Sequence, residues 1–200
     1  MLTREAFFIP GAAGQGSFWS PVAGRLPETW RTRLLDLPGL GSIPAHPDVA
    51  SYDDLVEFLA SRMMAPAVLV AQSMGCYIAL QIALRYPDRV SHLVLAALTG
   101  GVDVSVHGGA DWRADYAETF PTAQPWARAP VSDLSGELHR ISVPVLLFWA
   151  TRDPLSPLSV AHTLQSKLSR SSLITFDTDD HWVAREHPDE TATTILHVAR

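Results

Sequence analysis

Six short apolar runs, at residues 6–9, 32–37, 68–71, 92–98, 145–150 and 173–176, alternate along the chain with windows of helical spacing. Most of the runs are continuously apolar rather than alternating, as expected for parallel strands covered on both faces. The helical windows fall at 52–63, 74–86, 157–167 and 189–198. In 74–86 the apolar residues Tyr77, Ile78, Leu80, Ile82 and Leu84 run nearly all round the helix, which predicts burial, and Pro87 with Asp88 ends it. This alternation predicts an α/β protein, a three-layer α/β/α sandwich around a mostly parallel six-stranded sheet. One stretch, 99–143, breaks the pattern. It holds Gly100, Gly101, Gly108 and Gly109, then Trp112, Tyr116 and Phe120 at i, i+4 and i+8, then Pro121, Pro125 and Pro130. A structureless loop of that length is uncommon, so a small inserted lid with one or two short helices is expected there.

Composition narrows the class. The chain has 200 residues, 47% hydrophobic and 18% charged, which fits one domain over residues 1–200 and excludes a disordered chain. Fifteen basic against 21 acidic residues, with no basic run, argue against a nucleic-acid partner. A single cysteine, Cys76, excludes a disulfide framework and accords with a reducing compartment. Apolar runs such as 143–150 are far too short to span a bilayer, and 6–10, following Arg4 and Glu5, does not read as a signal peptide. The expectation is a cytoplasmic globule with no membrane partner; its oligomeric state is left open.

Candidate chemistry centres on Ala71-Gln72-Ser73-Met74-Gly75, where a strand passes directly into a buried helix. Small residues two before and two after the serine permit a tight turn. Such a turn lifts Oγ to the carboxyl edge of the sheet, beside the free N–H groups of the helix. Those donors suit the charge that develops on an attacked carbonyl oxygen. The alternative is a small-residue turn whose hydroxyl merely caps the helix. A nucleophilic serine needs a base, and the base an orienting acid. Of eight histidines, His181 lies just past the last predicted strand, and Asp153 just past the strand at 145–150. Asp153 also reads as a turn residue before Pro154. Three strand ends nonetheless deliver Ser, Asp and His to one edge of the sheet.

These residues carry a family resemblance that covers nearly the whole chain. Ile9-Pro10-Gly11-Ala12-Ala13-Gly14 resembles the oxyanion loop of the α/β-hydrolases, and Asp36-Leu37-Pro38-Gly39-Leu40-Gly41-Ser42 their D-x-P-G-x-G-x-S turn. Residues 71–75 resemble the nucleophile elbow, 86–90 the exit of its helix, and 143–153 the strand leading to the acid. His181 with Glu186 and Pro188 resembles the histidine loop. Ala71 stands where the elbow usually has glycine, Pro10 where the family often has histidine, and Asp180 where glycine usually precedes the histidine. Two leading strands common in larger relatives have no counterpart among the six runs.

The resemblance implies Ser73 as nucleophile, His181 as general base and then acid, and Asp153 as orienting carboxylate. It implies an oxyanion hole from the backbone N–H groups of Ala12 and Met74. Some relatives carry the acid after the strand before the lid, where this chain has Asp103. Phe18, Trp19, Trp112, Tyr116 and Phe120 are candidate substrate contacts; Trp182 reads as packing. Asp177, Asp179 and Asp180 beside His181 do not read as a metal site, Cys76 reads as inert core, and no cofactor is required. The implied activity is hydrolysis of a small-molecule ester through an acyl-enzyme. Thioesters, C–C bonds, transfer to an acceptor other than water, and a non-catalytic binding role remain alternatives on the same framework. The serine argues against the branches that use aspartate at the elbow.

Overall fold

The computed structural model describes residues 4–199. Strands β1 (Arg4–Ile9), β2 (Trp30–Leu34), β3 (Ala67–Gln72), β4 (Val90–Ala96), β5 (Val145–Ala150) and β6 (Ser171–Phe176) form one sheet in the order β2-β1-β3-β4-β5-β6. Every neighbouring pair is parallel, so the sheet is wholly parallel rather than mostly so. Helices α1 (Ser20–Ala23), α2 (Tyr52–Ala60), α3 (Met74–Arg85), α4 (Arg113–Thr119), α5 (Leu158–Lys167), α6 (Val183–Glu186) and α7 (Pro188–Val198) complete the chain.

Successive side chains on each strand enter opposite cores. Phe7, Ile9, Leu69, Leu95, Leu147 and Trp149 pack with residues of α2, α3 and α5. Phe8, Val68, Val70, Val94, Leu146 and Phe148 pack with Trp19, Val22 and residues of α6 and α7. That explains why the central strands read as continuous apolar runs: β3 and β5 are buried at every position. The edges differ. On β2 only Trp30 is buried, and Arg33 pairs with Glu5 of β1 at 2.5 Å. Charged side chains on an edge strand discourage addition of a further strand.

Two strands end short of the predicted run, each for a local reason. The run at 32–37 yields a strand ending at Leu34. Beyond it the backbone leaves the ladder and bonds the loop after β1, with Gly16 N donating to Asp36 Oδ1 (2.8 Å) and Leu37 N to Gly14 O (2.8 Å). The run at 92–98 yields a strand from Val90 to Ala96, because Ala97 takes φ 48°, incompatible with extended chain. Helices α1 and α6, four residues each, carry too little periodicity to be read from sequence. Within 99–143 the structure has one α-helix, α4, and 3₁₀ turns at Ser105–His107, Pro125–Arg128 and Leu138–Arg140.

The topology creates a crevice. From β1 the chain leaves toward the face covered by Trp19 and Val22, whereas β3 leaves into α3 on the opposite face. Neighbouring parallel strands whose connections diverge leave a gap at their carboxyl ends, the usual ligand position of open α/β sheets. Here that gap lies between Pro10-Gly11-Ala12 and Gln72-Ser73.

Candidate active site

Ser73 occupies the single step between β3 and α3, with φ 54° and ψ −122°. Non-glycine residues avoid this region, at a cost of order 1–3 kcal/mol, unless the surroundings hold them there. Ser73 N donates to Ala96 O (2.9 Å), and Cys76 N donates to Ser73 O (3.0 Å). The side chain makes no cap bond to the helix, so its hydroxyl is not spent as an N-cap. Gly75 explains the small-residue rule. A Cβ there would lie 2.3 Å from Pro10 O and 2.7 Å from Ile9 O, so only glycine lets the first turn of α3 pass the end of β1.

Three strand ends converge on the serine. His181, in the loop after β6, places Nε2 3.0 Å from Ser73 Oγ and Nδ1 2.7 Å from Asp153 Oδ2. Asp153 follows β5 and is buried, with 3% of its surface exposed. Its other oxygen accepts from the N–H groups of Leu155 (2.8 Å) and Ser156 (3.1 Å). A buried carboxylate persists only when its oxygens are satisfied, and three donors do that here. Because the carboxylate accepts, Nδ1 carries the ring hydrogen, and Nε2 presents its lone pair to the Ser73 hydroxyl. Asp103, by contrast, binds the N–H and hydroxyl of Ser105 (3.0 and 2.6 Å), an exposed arrangement in which the Ser105 hydroxyl holds its carboxyl below the usual range.

A further hydroxyl sits at the same atom. Thr99 Oγ1 lies 2.9 Å from Ser73 Oγ, and both residues are buried. Sequence reading passed over Thr99. Its signal was a polar residue just beyond the apolar run 92–98, which forms the strand next to the one leading into the serine.

Ser73 and His181 open into a cavity of about 500 Å³. Ala12, Phe18, Trp112, Tyr116 and Phe120 line it, joined by Gln72, Asp115 and Arg185, which the sequence did not single out. The aromatic side chains of α4 and its flanks pack in a row, Trp112 edge-on to Tyr116 at 5.3 Å and Tyr116 tilted against Phe120 at 5.1 Å. Two tryptophans depart from expectation. Trp19 is fully buried, its Nε1 donating to Ile9 O (3.1 Å), and the indole lies in the core against Phe8 instead of in the cavity. Trp182 is 53% exposed and lines the cavity, so it is not a packing residue. A smaller cavity of about 330 Å³ is lined by Thr99, Asp103 and Asp111, and shares Trp112 and Leu155 with the larger one.

Tyr116 ties these parts together. Its hydroxyl donates to Ala12 O (3.0 Å) and accepts from Gly41 N (2.7 Å). One phenol thereby joins α4 to both glycine-containing loops. Cys76 is buried at the start of α3, and burial pushes its thiol well above its ordinary value. Asp177 pairs with Arg152. Among the described residues no cluster of three or more His, Cys, Asp or Glu is disposed to hold a metal, and no helix is long and apolar enough to cross a membrane.

Comparison with known proteins agrees with this geometry. Residues 6–129 match the model of the alpha/beta hydrolase family, and 109–196 match that of TAP-like proteins. The pimeloyl-[acyl-carrier protein] methyl ester esterase of Nitrosomonas europaea is 27% identical, over 93% of this chain and 92% of its own length. Among solved structures, the lipase-esterase related protein of Clostridium acetobutylicum superposes with TM-score 0.76 at 18% identity, covering 98% of this chain and 94% of that one. The meta-cleavage product hydrolase of Pseudomonas fluorescens superposes with TM-score 0.78 at 20% identity, covering 98% and 90%. At such identities the two structures speak to the fold alone.

Proposed function

The chain belongs to the alpha/beta hydrolase family, and from that premise we propose that it is a serine hydrolase cleaving a small carboxylic ester through an acyl-enzyme. The observation that carries this reading is the unbroken relay from Ser73 Oγ through the His181 ring to the buried Asp153 carboxylate, opening on a cavity. Its volume falls within the roughly 300–1,000 Å³ usual for small-molecule sites.

The chemistry follows from the geometry. Ser73 Oγ attacks the carbonyl carbon while its proton passes to His181 Nε2. The imidazolium that forms is stabilised by Asp153 through Nδ1. The carbonyl oxygen gains negative charge and is received by the N–H groups of Met74 and Ala12. Met74 opens α3, where the N–H groups lack intrahelical partners and the helix dipole is positive. His181 then returns the proton to the departing alkoxide, and the C–O bond breaks to leave an acyl-Ser73. Water, deprotonated by His181, attacks this ester; collapse releases the carboxylic acid and restores the Ser73 hydroxyl.

The substrate is a methyl or similarly small alkyl ester of an acyl chain, a reading supported by the likeness to methyl ester esterases. The segment 99–143 acts as the lid, a role supported by the rings of Trp112, Tyr116 and Phe120 in the cavity wall. A buried, unpaired Cys76 accords with a cytoplasmic setting.

Acid release from methyl esters of graded acyl length, followed at constant pH, tests the activity. A fluorophosphonate probe tests the nucleophile. The wild type is expected to turn over and to label at Ser73, and Ser73→Ala to do neither. Equal turnover by the two proteins would refute the proposal.

A further inference from the structure

We propose that Thr99 is a catalytic residue, a hydrogen-bond donor that stabilises Ser73 Oγ each time that atom is deprotonated. This role rests on the serine-hydrolase reading above and extends it to a fourth side chain.

The direction of the bond follows from proton counting. Asp153 takes the Nδ1 hydrogen of His181, so Nε2, 3.0 Å from Ser73 Oγ, has only a lone pair to offer. The single hydroxyl hydrogen of Ser73 goes to that nitrogen, a stronger acceptor than an alcohol oxygen. In the 2.9 Å contact between the two hydroxyls, Thr99 is then the donor and Ser73 Oγ the acceptor. When Ser73 gives its proton to His181, the hydrogen bond from Thr99 becomes charge-assisted and strengthens, in a site where both residues are buried. Thr99 keeps its own proton throughout. The same bond acts in the second half-reaction, where Oγ is the leaving group and carries charge until His181 reprotonates it. The bond also orients the nucleophile. Of the three lone pairs on deprotonated Oγ, one faces the protonated Nε2 and one faces Thr99, which leaves the third for the substrate carbon.

The fold holds Thr99 in place by means unrelated to packing convenience. Ser73 and Ala97 are the two non-glycine residues with positive φ among those described, and they lie at the carboxyl ends of adjacent strands. The turn at Ala97 bends the chain after β4 back toward the serine. Ser156, fully buried, donates its hydroxyl to Leu98 O (2.5 Å) and its N–H to Asp153, so one residue braces both the acid and the segment bearing Thr99. A β-branched hydroxyl bonded to the nucleophile is poorly explained by core filling, since valine would fill the same space.

That isostere supplies the test. The second-order rate of fluorophosphonate labelling at Ser73 reports on the nucleophile without the deacylation step. For Thr99→Val it is expected to fall about 10- to 100-fold, the range for a lost bond to a charged group. The kcat for ester hydrolysis should fall similarly with KM changed less than about twofold, because the bond strengthens only as charge develops. Thr99→Ser, which restores the hydroxyl on a smaller side chain, should recover most of the labelling rate. A merely structural role predicts the opposite order, with Val near wild type and Ser impaired. Thr99→Ala, compared with Thr99→Ser, repeats the contrast should the valine variant fail to fold. Labelling of Thr99→Val as fast as wild type, or faster, overturns the role of Thr99 alone. Failure of the wild type to label at Ser73 overturns the serine-hydrolase reading and this role with it.

Discussion

Replacing Tyr116 with phenylalanine removes one oxygen and leaves the ring, with its contacts to Trp112 and Phe120, in place. Tyr116 is 6% exposed, and burial raises its hydroxyl above the ordinary phenol value, so the proton it donates stays on at neutral pH. The deletion strands two groups. Gly41 N–H, 2.7 Å away in a buried contact, is left without its acceptor, which costs about 1–3 kcal/mol. Gly41 cannot shift to find another, because its φ is +54° and a Cβ there would stand 1.9 Å from Ala13 O, a measure of how tightly the two loops abut. Ala12 O, 3.0 Å away, lines the cavity and is rehydrated at a cost of about 0.5–1 kcal/mol. Together these give about 1.5–4 kcal/mol, which for a chain of this size lowers the thermal midpoint by roughly 3–16 °C. The kinetic consequence is separate. Ala12 carries one of the two N–H groups assigned to the oxyanion, and complete loss of such a donor costs about 10²–10³ in kcat. A loosened donor should cost about tenfold, with KM nearly unchanged. Scanning calorimetry and steady-state ester hydrolysis on Tyr116→Phe measure both. A midpoint within one degree of wild type (about 0.3 kcal/mol on the same scale) together with unchanged kcat would show that the phenol is a bystander and refute the reasoning.

Three further outcomes are expected. Asp153→Asn keeps an acceptor for Leu155 and Ser156 but turns an amide NH₂ toward Nδ1, forcing the ring hydrogen onto Nε2; kcat should drop by about 10⁴, whereas Asp103→Asn should stay within about twofold of wild type. The reverse pattern in steady-state rates would move the acid to Asp103. Gly75→Ala drives a methyl group into the carbonyls of Ile9 and Pro10, both fixed backbone, so it should cost about 3 kcal/mol or more, read as a fall in the urea midpoint. His92 on β4 is held below its ordinary value of 6.5, mainly by desolvation. The unfolded chain therefore takes up that proton first, and the stability is present above pH 6.5 and lost as pH falls through the folded value. Urea midpoints measured from pH 7.5 to 5.5 should fall less steeply for His92→Gln than for wild type, and parallel curves would exclude His92 as a source of the loss.

Much of the fold was legible because its signals are local. Residues 67–72 and 145–150 are buried at every position in strands covered on both faces, so they read as continuous apolar runs. Residues 74–85 were placed to within a residue, since the turn before them and Pro87 after them punctuate the chain. The strand at 30–34 was displaced by two or three residues because Leu34, Leu35 and Leu37 are apolar for different reasons. Leu37 is buried below a turn, whereas Leu34 ends the ladder with 37% of its surface exposed. Trp19 and Phe18 look alike in sequence, yet one faces the core and the other the cavity. Both lie in the 3₁₀ turn Gly16–Trp19, and which way such a turn directs adjacent side chains depends on what it packs against.

By itself, then, the sequence determined the alternation of strand and helix, the small-residue turn around Ser73, and the delivery of His181 and Asp153 to the same sheet edge. Each depends on residue type and spacing over a few positions. Tertiary structure alone decided which carboxylate meets His181, that Thr99 and Ser156 enclose the same machinery, that Tyr116 bridges two distant loops, and that Trp19 is core. Those contacts join residues up to 104 positions apart, through hydrogen bonds that hold only within about 0.5 Å. Spacing along a chain does not encode such distances; the packing of strand ends against one another does.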